Sequence, residues 1–272
     1  MPPSVEDGLS LGRRDRLKAT TELYGPPAFK GAGRRRDKAI AFLRRLVDPA
    51  AESLWRDLSR LLPRAQGTLV DVGCGAQPYR ALVPVGVRYI GIDRAEAHVA
   101  FAYSFPDTIY YEGDRWPLAD GAADWVLCSE VLEHVPAPPV FLAEAMRCLR
   151  PGGRMVLTVP FSARWHYIPH DYWRFTPSAI GLLLGQAGFT GVRVYARGNP
   201  LTLLCHKALS LVFPLLLGVS VGWRRWACRL AGLALSPVAV LAAGSAFVSL
   251  GWDFGDDPIG YTIVAGRPEE GR

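Results

Sequence analysis

The sequence lacks the cysteine spacing of a disulfide framework or of a zinc site. Its five cysteines are an odd number and none stand as C-x-x-C, which indicates a reducing compartment and buried thiols. The opening stretch MPPSVEDGLSLGRRDRLK has no apolar segment, so no secretory signal is expected. Internal repeats are missing, and the frequent proline and glycine are scattered, which excludes a low-complexity or collagen-like chain. The 272 residues, half of them hydrophobic, suffice for one sizeable α/β domain with an extra element, or for two small domains.

Basic residues are concentrated before residue 40 in a chain of net charge +6, in the segments GRRDRLK and KGAGRRRDK. Residues 1–35 are predicted to form a polar, mobile arm. Such an arm either is simply solvated or contacts lipid phosphates at a membrane surface. Nucleic acid is not expected as a partner, because no stacking aromatic residues are interleaved with the basic ones.

From residue 68 onward, short apolar runs alternate with helical patterns. Strands are predicted at Thr68–Val72, Tyr89–Ile92, Thr108–Tyr111, Trp125–Cys128 and Arg154–Val159, and later at VRVYA and GYTIVAG. Helices are predicted as a pair over residues 36–62 broken at Asp48-Pro49, in PVFLAEAMRCLRPGG closed by Pro151-Gly152-Gly153, and in TPSAIGLLLGQAGF with Thr176 as N-cap. This alternation predicts an α/β fold with a doubly wound, Rossmann-like parallel sheet.

The stretch TLVDVGCGAQPY places a glycine turn directly after the first strand. It begins like the G-x-G-x-x-G loop of dinucleotide enzymes, but Pro78 stands where the third glycine would be. That third glycine allows close helix–strand packing under a pyrophosphate. A cofactor that has ribose and adenine but no pyrophosphate does not need it, and S-adenosylmethionine is such a cofactor.

Three acids follow or precede successive strand ends. Asp93 ends the second strand and could accept hydrogen bonds from both ribose hydroxyls. Asp114 ends the third strand, where it could accept from the adenine amino group. Asp71, just before Gly73 and Gly75, would orient the turn and face the cationic end of the cofactor. Each acid alone could be only a helix N-cap, but three in register with one glycine turn favour a cofactor site.

These segments resemble the class I S-adenosylmethionine-dependent methyltransferases of the type 11 group. The resemblance rests on VDVGCG, GID, GDRWPLADGAADWVLCSEVLEHV, LRPGG and GRMVLTVPF, in that order over residues 68–161. It implies a seven-stranded sheet whose last strand is antiparallel to the others, and it implies that Glu130 borders the methionine end of the cofactor. Cys74, Arg115 and Ser129 complete the candidate cofactor residues. The segments PHDYWRFTP and AGF are similar to a subset acting on cell-envelope sugars or lipid-linked intermediates.

Histidines near the strand ends are the candidate bases for deprotonating a hydroxyl acceptor. His134 serves either as a catalytic group or as a structural residue that caps the turn. His170 could be a base oriented by Asp171, while Arg174 could hold a phosphate or carboxylate of the substrate. The candidate substrate-contacting residues are His166, Asp171, Tyr172, Trp173 and Arg174. The alternative is that this cluster merely anchors its loop, with Arg174 in an internal salt bridge. No metal is expected, because Pro169 disrupts the i, i+4 spacing of His166 and His170 and no third ligand is evident.

A hydrophobic insertion occupies residues 201–252 and separates the methyltransferase core, residues 36–200, from the last strand and tail, residues 253–272. The run from Leu230 to Trp252 carries no charge and is long enough for a spanning helix, whereas Ala208 to Gly222 is short. The strands on either side of the insertion are expected in one sheet, so the chain must return to the side of the membrane that it left. The insertion can therefore cross a membrane only an even number of times. A hairpin that crossed the membrane twice would carry the WRRW segment to the opposite side of the membrane, against the tendency of arginine to stay on the cytoplasmic side. A monotopic or re-entrant hairpin is therefore favoured, with proline kinks at Pro214 and Pro237.

The sequence therefore predicts a methyltransferase that acts on a lipid-linked or otherwise amphipathic, possibly glycan-bearing acceptor at the cytoplasmic face of the membrane. Two alternatives stay open. The first is a soluble small-molecule methyltransferase in which the insertion is a lid or a homodimer contact. The second is a non-catalytic cofactor-binding subunit that recruits a partner through the insertion. The acceptor atom is not specified, because oxygen, nitrogen and carbon acceptors use the same cofactor half of the fold.

Overall fold

The computed structural model describes residues 35–96, 107–217 and 222–270, so the predicted N-terminal arm lies almost entirely outside the described residues. The strands are β1 Thr68–Val72, β2 Arg88–Arg94, β3 Thr108–Tyr111, β4 Ala123–Ser129, β5 Leu149–Pro160, β6 Thr190–Arg197 and β7 Gly260–Gly266. The helices are α1 Arg35–Val47, α2 Pro49–Leu61, α3 Pro138–Cys148, α4 Pro177–Gln186, α5 Pro200–Leu217, α6 Trp223–Ala234 and α7 Ser236–Ser249.

In the described part of the chain, seven strands form one sheet in the order β3-β2-β1-β4-β5-β7-β6. Neighbours from β3 to β5 pair in parallel, and β7 pairs antiparallel with both β5 and β6. The expected α/β sheet with an antiparallel last strand is confirmed. Because β7 runs opposite to the rest, it begins at the edge of the sheet where β1 to β6 end. The carboxyl ends of the strands and the insertion between β6 and β7 therefore share that edge.

The two faces of the sheet have separate hydrophobic cores. On one face Leu142 of α3 and Ile180 of α4 are fully buried against β4 and β5 residues such as Val126. On the other face Leu58 of α2 and Leu62 are fully buried against Leu69 of β1. Burying one leucine side chain contributes about 1.5–3 kcal/mol, so these two layers hold the strand ends in fixed positions.

The predicted helix boundaries are largely confirmed, with one difference. Asp48 caps α2 by accepting from the amides of Ala50 and Ala51, and the Thr176 hydroxyl accepts from the amide of Ala179. In contrast, α3 ends at Cys148, and the segment from Leu149 already belongs to β5. The Pro151-Gly152-Gly153 segment expected to close the helix therefore lies within the strand, where the carbonyls of residues 267 and 268 accept from the Gly152 amide.

In the described parts of the insertion, residues 200–217 and 222–252, the chain forms three helices. Helix α5 is long and apolar enough to cross a membrane, and it contains Pro214 in its interior. Helices α6 and α7 pass the same test only as a pair, and they are bent by 53° at their junction. The uncharged run from Leu230 to Trp252 is therefore divided between α6 and α7, and the bend at their junction lies next to Pro237, where a kink was predicted. Pro237 is the second residue of α7, where a proline breaks no helical hydrogen bond because amides of the first turn have no partner within the helix.

Candidate functional site

The glycine turn after β1 is fixed to the end of β2. Gly73 and Gly75 both have positive φ, +66° and +51°, which glycine adopts without steric cost. The Gly73 amide donates to the carbonyl of Ile92 at 2.9 Å, and the Gly75 amide donates to Oδ2 of Asp93 at 2.9 Å. A second amide, that of Arg94, donates to Oδ1 of Asp93 at 2.8 Å. The buried Asp93 carboxylate thus joins the turn to the strand end, and its predicted role in holding ribose hydroxyls stays a prediction.

Asp71 is the second buried acid at this edge. The Tyr89 hydroxyl donates to its Oδ2 at 2.6 Å. Burial raises the pKa of Asp71 from 3.8 to about 7, the hydrogen bond from Tyr89 opposes that rise, and the charge of Asp93 adds to it. Two buried acids, Asp71 and Asp93, therefore lie beside the glycine turn, at the edge where the sequence predicted the cofactor.

Cys74 and Gln77 fill the space beneath the turn. The Cys74 thiol is buried 3.7 Å from the Thr108 hydroxyl, and burial together with the charge of Asp71 raises its pKa. Cys74 is therefore a packing residue and not a thiolate nucleophile at neutral pH. Gln77, which was not predicted, is fully buried with φ +50° and donates from Nε2 to the Thr108 hydroxyl at 3.0 Å. A glutamine at positive φ is uncommon, and its contact with β3 could not be inferred from spacing.

Asp114 and Arg115 are exposed on the loop that follows β3. Strand β3 ends at Tyr111, so Asp114 lies on the loop and not at the strand end itself. Its carboxylate is 4.0 Å from Nη1 of Arg94, at the end of β2. Asp114 therefore lies near the end of β2 on a solvent-exposed loop, and its predicted contact with adenine stays a prediction.

Ser129 and Glu130 at the end of β4 are held by neighbours that the sequence did not identify. The Ser129 hydroxyl lies 3.0 Å from the Thr158 hydroxyl of β5. Glu130 has φ +55°, and its carboxylate accepts from Nη2 of Arg197 at 2.6 Å. Arg197 at the end of β6 is fully buried and also donates to the carbonyl of Val159 at 3.0 Å. This ion pair fixes the Glu130 carboxylate at the strand edge.

The loop after β5 contains an internal ion pair. Both terminal nitrogens of Arg174 donate to the Asp171 carboxylate, at 2.6 and 2.7 Å. The same carboxylate accepts from the amide of His166 at 3.0 Å, and the His166 ring nitrogen Nδ1 is 3.2 Å away. The prediction that Asp171 orients His170 is wrong, since Asp171 contacts His166 instead. For Arg174, the geometry matches the anchoring alternative, because the guanidinium is already paired within the loop.

The remaining loop residues face outward. The His170 ring is exposed, with Nδ1 3.3 Å from the Tyr172 hydroxyl. Tyr172 and Trp173 are exposed by 46% and 41%, and Nε1 of Trp173 donates to the carbonyl of Val135 at 2.9 Å. These three side chains form an aromatic rim that is accessible to an acceptor molecule.

His134 connects the turn after β4 with the loop after β5. Its Nδ1 is 2.7 Å from the carbonyl of His170, which matches the turn-capping alternative for this residue. Burial lowers the pKa of His134 to about 4, so the imidazole is neutral at pH 7. The adjacent Glu133 is fully buried, and within the described part of the chain neither of its carboxylate oxygens has a hydrogen-bond partner. Burial raises the pKa of Glu133 well above its usual range.

The seven-stranded sheet with one antiparallel strand and the glycine turn with its two buried acids define a class I S-adenosylmethionine-dependent methyltransferase. The model of the methyltransferase domain family matches residues 41–194, and the chain belongs to that family. Among curated relatives, it is 41% identical over 120 residues to an uncharacterised methyltransferase of Mycobacterium avium, covering 41% of this chain and 47% of the relative. The chain thus spans about half the length of the curated relatives it matches.

Solved structures share the fold at low sequence identity. A SAM-dependent methyltransferase from Archaeoglobus fulgidus superposes with a TM-score of 0.50 and 16% identity, over 84% of this chain and 99% of the other. Phosphoethanolamine N-methyltransferase 2 of Haemonchus contortus, in complex with S-adenosyl-L-methionine, superposes with a TM-score of 0.50 and 14% identity. The superposition covers 79% of this chain and 53% of the other. The predicted enzyme class and the predicted cofactor, S-adenosylmethionine, are confirmed. The narrower assignment by the PHDYWRFTP segment stays a prediction.

Proposed function

We propose that this methyltransferase acts on a lipid-linked or otherwise amphipathic acceptor that it takes from the cytoplasmic face of a membrane. The observation that carries the proposal is the apolar surface of the insertion, which emerges at the same sheet edge as the glycine turn.

The cofactor half is assigned to the strand ends described above. Asp93 would hold the ribose hydroxyls, Asp114 the adenine amino group, and Asp71 and Glu130 would face the cationic methionine end. When bound, S-adenosylmethionine supplies an electrophilic methyl group on a sulfonium and leaves as a neutral thioether. The chain's own contribution is to orient the acceptor and to exclude water, and positioning of this kind can supply several kcal/mol, up to roughly 7–11. His170, on the exposed rim, is the candidate base if the acceptor is a hydroxyl.

The insertion contacts the loop that carries the candidate acceptor residues. Lys207 of α5 donates from Nζ to the carbonyl of Ser162, at the start of that loop. Helix α5 begins at Pro200, three residues after Arg197, which pairs with Glu130. The first turn of α5 is tied to the far end of the insertion, because Asn199 donates to the carbonyls of Ser249 and Trp252 at 2.6 and 3.1 Å. An acceptor resting on the insertion is therefore next to the strand edge.

Large apolar side chains cover the outer face of the insertion. Those exposed by 66–76% are Leu204, Leu211, Trp223, Trp226, Leu230, Val240 and Leu241, which we call the apolar insertion surface. Large exposed apolar patches are rare on soluble monomers, whereas single exposed apolar side chains are common, and here seven of them lie on three neighbouring helices. Residues 200–252 contain no acidic residue, and Arg224, Arg225 and Arg229 lie on α6 beside its two tryptophans. Tryptophan with arginine is the composition of a helix lying at an anionic lipid interface.

Vesicle flotation tests the assignment of this surface to lipid. Full-length protein, exchanged from detergent, is mixed with phosphatidylcholine vesicles with or without phosphatidylglycerol. We expect it to float with both and more strongly with the anionic vesicles, because α6 adds three positive charges at roughly 1 kcal/mol each near such a surface. The variant Trp223→Ser/Trp226→Ser should lower the floated fraction several-fold. The matched control Val140→Ser/Leu182→Ser changes two exposed apolar residues on α3 and α4, and it should float like the wild type.

Methyl transfer is then followed with S-adenosylmethionine labelled in its methyl group and a native lipid extract as acceptor. Label in the organic phase supports an amphipathic acceptor, and mass spectrometry should show a product heavier by one methyl group. Label confined to water-soluble products would contradict it and favour the soluble alternative. The protein could instead stay unbound to vesicles and form a dimer that Trp223→Ser/Trp226→Ser dissociates. That result would show that a second copy of the chain covers the apolar insertion surface.

A further inference from the structure

Three side chains from two loops come together beside the strand edge, and none of them is assigned to the cofactor. They are Glu133 and His134, in the short turn after β4, and His166, in the loop after β5. One ligand-capable atom from each lies within 4.8 Å of the other two. His170, which is four residues from His166 in the sequence, is not part of this cluster. Glu133 could not be recognised from the sequence as a ligand beside His166, because the two residues are far apart along the chain.

Glu133 is a carboxylate that lacks the partners burial requires. It is fully buried, and neither oxygen has a hydrogen-bond partner among the described residues. Its backbone carbonyl, in contrast, accepts from the amides of Tyr172 and Trp173 at 2.9 and 3.3 Å. The loop after β5 therefore holds Glu133 in place. Burying a carboxylate without a partner costs several kcal/mol, and such groups normally are paired or coordinate a metal.

Both imidazoles have one nitrogen occupied, which leaves the other for a metal. Nδ1 of His134 donates to the carbonyl of His170 at 2.7 Å, so Nε2 carries the lone pair, and it lies 3.6 Å from Oε1 of Glu133. Nδ1 of His166 lies 2.9 Å from the carbonyl of Arg164 and 3.2 Å from Oδ2 of Asp171. A histidine ligand held through its other nitrogen by a carbonyl or carboxylate is the usual arrangement around protein-bound metals.

We propose that Glu133, His134 and His166 form a binding site for a divalent transition metal of the zinc type. Two imidazoles and one carboxylate are a ligand set that suits Zn²⁺ and Fe²⁺, and three protein ligands leave a position open to water. Bonds of about 2.0–2.2 Å require the ligand atoms to approach each other to roughly 3–3.5 Å, so the cluster contracts slightly on binding. The bound metal joins the turn after β4 to the loop after β5 and orders the aromatic rim.

The test uses the untagged full-length chain, freed of metal with a chelator and titrated with Zn²⁺ in a calorimeter. We expect one equivalent to bind tightly, and His166→Ala and Glu133→Gln each to weaken binding at least tenfold. His170→Ala is the matched control, because its ring lies on the same loop but outside the cluster, and it should bind Zn²⁺ like the wild type. His166 is half-buried, so its removal keeps the fold, which circular dichroism verifies.

Co²⁺ gives an independent readout of the same ligands. Its visible absorption should show a low-coordinate N/O site in the wild type and in His170→Ala, and the band should be lost in His166→Ala. Equal Zn²⁺ affinity of the wild type and of folded His166→Ala would overturn the site, as would binding no stronger than that of a surface histidine. Neither result depends on methyl transfer, so failure here leaves the proposed enzyme function intact.

Discussion

Gly73 is the position where a single methyl group tests the geometry of the glycine turn. Its φ is +66°, and a Cβ at this position would lie 2.5 Å from Cγ2 of Val131 and 2.9 Å from Cγ1. A left-handed non-glycine residue costs roughly 1–2 kcal/mol, and forcing an extra carbon into packed space costs about 1–3 kcal/mol. We therefore expect Gly73→Ala to lower the free energy of unfolding by about 2–5 kcal/mol and to weaken cofactor binding.

Two further variants separate the conformational cost from the packing cost. Gly191 has φ +61°, and its Cβ position meets no described atom within 4 Å, so Gly191→Ala should cost only about 1–2 kcal/mol. Val131→Ala removes both methyl groups and leaves the Val131 Cβ, at 3.3 Å, as the nearest atom. The double variant Gly73→Ala/Val131→Ala should therefore be more stable than the sum of its single variants predicts, by about 1–3 kcal/mol.

Urea unfolding followed by tryptophan fluorescence measures these free energies, and calorimetry with S-adenosylmethionine measures affinity for the same variants. A coupling below about 0.5 kcal/mol, which is the scatter expected for independent sites, would refute the contact with Val131. Wild-type stability and wild-type affinity for Gly73→Ala would refute the turn geometry altogether.

Two other predictions follow from the buried charges. The folded-state pKa of Asp71, about 7, exceeds the ordinary 3.8, so the folded chain retains a proton that the unfolded chain releases, and stability should fall as the pH rises from about 4 to 7. Asp71→Asn should flatten this part of a plot of melting temperature against pH; an unchanged slope would contradict the assignment. Arg197→Met should cost roughly 3 kcal/mol, because it strands the Glu130 carboxylate that now accepts at 2.6 Å. Adding Glu130→Gln should recover part of that loss in urea unfolding, whereas strictly additive effects would rule out the ion pair.

The sequence was sufficient for the sheet and the glycine turn because both depend on short-range patterns. The predicted β1 and β3 coincide with the observed strands, since each is a short run of strand-forming residues bounded by polar or glycine residues. The turn was recognisable because Gly73 and Gly75 meet a local backbone requirement. The position of Asp93 beside the turn could be predicted because parallel strands of similar length end at one edge.

Contacts between distant loops could not be predicted in this way. Arg197 pairs with Glu130 across 67 positions, and nothing in the strand pattern VRVYA distinguishes it from a solvated arginine. Asp171 contacts His166 because the loop folds back on itself, whereas sequence adjacency had favoured His170. Glu133 reads as a surface acid of a turn, and its burial depends on the later loop lying over it. In each case the deciding partner is set by tertiary packing and not by local propensity.

The topology bears directly on where an acceptor can approach. Strand β6 runs parallel to β1–β5 and so ends at the edge that carries the glycine turn, while β7 starts at that edge because it is antiparallel. Any insertion between them must leave and return there, whatever its composition. The apolar helices are therefore held next to the strand ends by chain connectivity, and Lys207 adds a direct contact to the loop after β5. A surface that binds lipid at this position places the membrane beside the methyl-transfer edge, whereas the same helices in a crossover at the opposite edge would hold the site away from it.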